Sequence, residues 1–207
     1  MREDKKTDKI IAIYRAIGDL VAEGADISSM RVSDIAEKAG IGKGTTYEYF
    51  SSKEEMVIKA MIYLVDSMVK RILSQMEKLE SFRDKFIMLL DEMEEKAKQR
   101  ACILKYLHML SDMNLCQQMR DVLVEDEEAK KSSPIVVIKY LIERGKEEGI
   151  IAKELPQTYL ETTMFSRVIS FLLYVDGNWG AQENDNNKMK NDLYLGLCRE
   201  LSGETAS

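Results

Sequence analysis

The side chains best suited to chemistry in this chain lie between Arg31 and Lys53. Lys43, Thr45, Thr46, Tyr47 and Tyr49 form one short stretch, with Gly44 inside it, Arg31 before it and Lys53 after it. They offer cationic heads, two hydroxyls and two phenols, groups that bind phosphate oxygens and the edges of bases. A reaction would need a different set. The one histidine is His108, so a Ser-His or Cys-His pair has only that residue to use. Gly42-Lys43-Gly44 lacks the spacing of either nucleotide fingerprint. No Cys/His cluster has zinc-like spacing. Glu125-Asp126-Glu127-Glu128 places consecutive carboxylates on different helical faces, which suits a solvated loop better than a metal site. No cofactor, metal or enzymatic activity is expected.

Two helices and a turn must position these groups. Ile35, Ala36 and Ala39 give the first helix an apolar face, and Gly40 can take the positive φ that ends it. Ala36 is small enough to admit a second helix closely, and Ile41 fills the gap between them. The second helix would run from about Gly42 to Phe50, with Lys43, Thr45, Thr46, Tyr47 and Tyr49 exposed. This is the pattern of a helix-turn-helix, whose second helix enters the major groove.

The run Ile35-Ala36, Ala39-Gly40-Ile41, Lys43-Gly44-Thr45-Thr46-Tyr47, Phe50 and Ser52-Lys53-Glu54 resembles the DNA-binding signature of TetR-type (tetracycline-repressor-like) transcriptional regulators. Small, aromatic and charged residues all fall at the family's offsets over roughly the first quarter of the chain. Gly42 stands where the family favours a serine cap, and Thr46 where it favours leucine. Glycine is an acceptable N-cap, and Thr46 could turn a polar contact toward DNA. The resemblance implies an all-α fold of about nine to ten helices. Residues 1–52 would be the helix-turn-helix DNA-binding domain, and residues 53–207 a helical domain for effector binding and dimerisation. It also implies that Lys43, Thr45, Tyr47 and Tyr49 contact phosphates or bases and that Lys53 meets the backbone.

Composition agrees with a helical protein but does not by itself suggest DNA. Only Pro134 and Pro156 interrupt 207 residues, of which 45% are hydrophobic and 32% charged. The net charge is −6, and the first 55 residues hold 9 Lys/Arg against 11 Asp/Glu. Wholesale coating of nucleic acid is therefore excluded, and binding must rest on local placement of cations such as Arg31, Lys43 and Lys53. Cys102, Cys116 and Cys198 are odd in number with no paired spacing, as expected of reduced thiols in a cytoplasmic protein. The apolar run Phe165 to Val175 contains Arg167 and is too short to span a bilayer.

Along the chain, residues 1–6 read as a mobile arm, and a bracing helix is expected from about Thr7 to Glu23, with Ser28 or Ser29 capping the next. Ser52-Lys53-Glu54-Glu55 is a capping box that opens a long fourth helix. Its apolar residues, from Met56 to Met76, recur every four residues. Such a stripe drifts around the helix and must meet different neighbours at its two ends. Helices follow around Phe82–Met93, Leu104–Met113 and Leu115–Leu123, then from Ser133-Pro134 to Gly149, from Pro156 to Asp176, and from Met189 to Leu201, with a polar loop around Trp179.

Thirteen methionines suit either a well-filled core or a plastic apolar cavity. Tyr106, His108, Tyr140, Arg167 and Tyr174 are candidate polar groups for an effector in such a cavity. The eighth and ninth helices look apolar on more than one side, so Ile138, Leu141, Phe165, Ile169 and Leu172 are expected to pair with their copies in a homodimer. The expected function is a ligand-responsive regulator, released from a palindromic double-stranded operator by a small apolar or aromatic effector. The alternatives are a helical protein-interaction module retaining a relic DNA-binding unit and, third, an all-α enzyme.

Overall fold

The computed structural model describes residues 2–27, 29–98, 133–175 and 185–203, and among them the fold is all-α. Eight helices are found there: α1 (Arg2–Ala22), α2 (Val32–Lys38), α3 (Lys43–Tyr47), α4 (Lys53–Met76), α5 (Phe82–Lys98), α6 (Ile135–Glu147), α7 (Gln157–Val175) and α8 (Asn186–Leu201). The helices expected around Leu104–Leu123 and the loop around Trp179 lie outside the described residues. One boundary differs clearly from expectation. Helix α1 begins at Arg2, so residues 2–6 extend the bracing helix instead of forming an arm. No proline or glycine precedes Gly18, which leaves nothing to stop the helix earlier.

The described residues up to Met68 form one compact unit, and Val69–Lys98 with the described residues from Pro134 onward form another. The first is built on an apolar core. Ile13, Ile17 and Val21 of α1, Ile35 of α2, Phe50, and Met56, Val57, Ala60 and Met61 of α4 are all buried together. Tyr14 packs its ring at 5.9 Å from that of Phe50. Helix α1 thus braces α2 and the segment that follows α3.

In the second unit α7 packs against α5, α6 and α8, and α5 also packs against α6 and α8. Phe82, Phe86, Leu90, Leu141, Ile142, Leu160, Met164, Phe171 and Leu197 fill its centre. Gly145 lets the chain approach closely: a Cβ there would stand 2.5 Å from Ile151 and 3.3 Å from the Phe82 ring. The Glu148 carboxylate accepts a hydrogen bond from Phe82 N at 2.7 Å, satisfying the first amide of α5. Helix α4 divides its burial as its drifting stripe requires. Met56 to Met61 serve the first core, and Val69, Ile72 and Met76 are buried in the second unit.

Candidate nucleic-acid interface

The turn between α2 and α3 has the geometry its residues dictate. Gly40 adopts φ +67°, and Ile41 N donates back to Ala36 O at 2.9 Å, closing the end of α2. Gly42 is the N-cap of α3 at φ −71°, ψ 141°, and Thr45 N donates to its carbonyl at 2.9 Å. Helix α2 is capped by Arg31, with no side-chain hydrogen bond, which corrects the expected role of Ser28 or Ser29. Met30 is buried in the N-terminal core, so Arg31 is the residue left exposed at this helix start.

The expected contact residues divide into two sets. Arg31, Lys43, Gly44 and Tyr47 are exposed, Tyr47 by 51%, and Thr45 and Tyr49 are half-buried. Thr46 is the correction. It is fully buried, and its Oγ1 donates to Lys43 O at 2.6 Å. Residue 46 is the seam between α3 and the core. A threonine fits there only by turning its hydroxyl onto the helix's own backbone, so it offers nothing to DNA. Lys53 is half-buried, with Nζ 3.5 Å from Ile27 O. Glu48, which was not among the expected contacts, is the exposed C-cap of α3.

The start of α4 holds the far end of this surface. Glu55 N donates to Ser52 Oγ at 3.0 Å, while the Glu55 carboxylate accepts from Ser51 N at 2.7 Å and Ser51 Oγ at 2.6 Å. This is the expected capping box with its return bond shifted by one residue. Hydrogen bonds from Lys59 first, and then from Ser51, hold the Glu55 carboxyl at about 2. At the other edge, Lys38 and Glu23 form an ion pair at 2.5 Å that ties the end of α2 to the end of α1.

Residues 21–60 match the family model for bacterial regulatory proteins of the tetR family. These residues carry the DNA-binding signature of that family. An HTH-type transcriptional regulator of Staphylococcus aureus is 41% identical over 56 residues, a match spanning 27% of this chain and 29% of that relative. The fold of the TetR regulators extends over nearly the whole chain. A crystal structure of the transcriptional regulator FadR from Bacillus subtilis, in complex with stearoyl-CoA, superposes with a TM-score of 0.64 at 19% identity, covering 94% of this chain and 98% of that one. A TetR-family transcriptional regulator from Rhodococcus superposes with a TM-score of 0.65 at 19% identity over 95% of this chain and 100% of that one. The chain is thus built as an N-terminal helix-turn-helix unit of the tetR type followed by further helices, in the fold of these solved regulators.

Of the expected effector residues, Tyr140, Arg167 and Tyr174 lie among the described residues. Tyr106 and His108 lie outside the described residues. Tyr140 is half-buried on α6, and Tyr174 stacks on Phe171 at 6.3 Å. Arg167 is engaged elsewhere: its Nη2 donates to Glu200 Oε2 at 2.5 Å, and Glu200 Oε1 also accepts from Tyr159 at 2.9 Å. It joins α7 to α8. An open groove of about 540 Å³ is lined by Gln75, Lys78, Leu79, Met88, Asp91, Glu92 and Glu95, so none of Tyr140, Arg167 and Tyr174 lines it.

The expected dimer residues also divide. Ile138, Leu141 and Leu172 are at most 3% exposed within the subunit's own core, which corrects their assignment to a partner surface. Phe165 and Leu173 are exposed by 42% and 38%, and Ile169 between them is half-buried. Helix α7 is apolar on two sides because one side fills its own subunit and the other carries this i, i+4, i+8 stripe.

Proposed function

We propose that the protein is a homodimeric, ligand-responsive repressor that occupies a palindromic operator and leaves it when a small apolar or aromatic effector binds. Residues 1–52 would carry DNA recognition and residues 53–207 effector binding and dimerisation, in the cytoplasm. The observation that carries the DNA reading is the outward placement of Lys43 and Tyr47 on α3, with Thr46 anchoring the helix from behind. Lys43 and Lys53 would meet phosphates, and Thr45, Tyr47 and Tyr49 would position the helix or touch bases. A single unit of this size buries only about 600–1,000 Å² on DNA. Two copies, with recognition helices about 34 Å apart, would read successive major grooves.

The stripe Phe165, Ile169 and Leu173 supports the dimer. Two such helices, one from each subunit across a two-fold axis, would cover apolar surface that one subunit leaves in water. In this reading the effector favours a conformation in which the two recognition helices no longer match the operator spacing. An acyl-CoA is the first effector to try, because the Bacillus subtilis neighbour was solved with stearoyl-CoA.

The test is a gel-shift with DNA upstream of the protein's own gene, with and without long-chain acyl-CoA and simple aromatic compounds. A specific complex dissolved by one of these compounds is expected. A dimeric protein that retards no DNA would instead support an interaction module with a relic DNA-binding unit. Phe165→Glu should give monomers in sedimentation and at least a tenfold weaker complex, as expected when one of two linked contacts is lost. An unchanged dimer would rule out the α7 stripe as the interface.

A further inference from the structure

The most outward side chain of the recognition helix is a carboxylate. Successive residues of a helix are turned by about 100°. Starting from the buried Thr46, Gly44 lies about 160° away in one sense and Glu48 about 160° in the other, so the pair straddles the direction opposite the core. Gly44 has no side chain, and a Cβ placed on it would meet nothing within 4 Å. Glu48 is exposed in helical geometry at φ −71°, ψ −21°, one turn further on along the same ridge. Tyr47 and Lys43 both lie on one side of this ridge, nearer the core, at about 100° and about 60° from Thr46. Whatever groove α3 enters, Glu48 meets its floor first.

A carboxylate at that place is costly unless it has a partner on the nucleic acid. It faces a phosphate-lined groove, on a helix whose one cation is Lys43. Among the described residues no ion pair engages it. The group on a major-groove floor that suits a bare acceptor is an exocyclic amine. Cytosine shows its N4 amine there, whereas adenine sets an N7 acceptor beside its N6 amine, and guanine and thymine present acceptors. We infer that Glu48 is a specificity-determining residue that accepts a hydrogen bond from a cytosine N4 amine in each bound half-site. The inference rests on the DNA-binding reading above and adds the base that is read.

The experiment is a binding selection from random-sequence duplexes with the full chain, run in parallel on the unmodified protein, Glu48→Ala and Glu48→Gln. Thermal melts serve to show that all three are folded. The unmodified protein should prefer cytosine by about tenfold at one position per half-site, the scale of a single mismatch. Glu48→Ala should lose that preference alone and bind random DNA more tightly, since a negative charge has gone. Glu48→Gln should move the same position toward adenine, because a carboxamide can both accept from N6 and donate to N7. Identical preferences at every position in all three proteins would overturn the inference and leave the DNA-binding reading intact. Loss of an adenine preference on Glu48→Ala would overturn the choice of cytosine. If the folded, unmodified protein enriches no sequence, the DNA-binding reading fails and takes this inference with it.

Discussion

The N-terminal and C-terminal units are stabilised by different means. The buried residues of the N-terminal core are apolar apart from Thr46, whose hydroxyl is satisfied three residues away. The C-terminal unit buries two lysines. Lys85 on α5 donates to Leu79 O and to Glu80 O, carbonyls of the segment that follows α4. Lys190 on α8 donates to Asp91 at 2.5 Å and to Glu94 on α5, and lies 5.6 Å from the centre of the Phe171 ring. The N-terminal unit therefore depends on apolar contact among α1, α2 and the start of α4, while the second unit is pinned by charges that meet across 99 residues. Buried charge is costly unless satisfied, and it specifies one arrangement of helices more narrowly than apolar packing does.

Breaking the pin should give the largest effect. Lys190→Met leaves Glu94, 12% exposed, without its cation, and Asp91 with it. A loss of about 3 kcal/mol is expected in urea denaturation, toward the low end for a buried pair because Asp91 keeps 56% of its side chain in water. Burial works against the Lys190 ammonium, but its hydrogen bonds to Asp91 and Glu94 outweigh burial and raise its pKa above the ordinary 10.5. Its contribution should thus be complete below 10.5 and drain away as pH rises past the raised value, a limb that Lys190→Met should lack.

A smaller effect is expected at the local cap of the first region. Glu55→Gln should cost about 1 kcal/mol, the scale of a helix cap. Since the Glu55 carboxyl is lowered from 4.5 to about 2, its contribution is full above 4.5 and is lost as pH falls toward 2. Stability curves of the two proteins should separate above pH 4.5 and converge near pH 2; a constant gap across that range would count against the carboxylate as the cause. The smallest change should come from Thr46→Val, at most about 1 kcal/mol for one hydroxyl hydrogen bond. This variant should retain operator affinity, while Lys43→Ala should weaken it. A Thr46→Val protein that folds normally and binds DNA poorly would restore the hydroxyl to the interface.

These contrasts follow how far each feature reaches along the chain. Residues Ile35 to Glu55 could be read directly, because the turn, both caps and the helix ends depend on partners within a few positions. Gly40 has its positive φ, Gly42 caps α3, and Ser52 caps α4 where the sequence indicated. Thr46 was misplaced because a threonine can face either water or the core, and only packing against neighbouring helices selected the core. The Arg167–Glu200 pair was not legible because the two lie 33 residues apart in sequence, with nothing in the spacing to announce it.

The sequence by itself determined the helix-turn-helix, the helical class and the presence of two apolar sides on α7, since each is written in short-range periodicity and turn chemistry. The tertiary structure alone decided which of those sides was used at home. It buried Ile138, Leu141 and Leu172 in the subunit's own core and left Phe165 and Leu173 exposed. Periodicity reports that a face is apolar but carries no information about which chain will cover it.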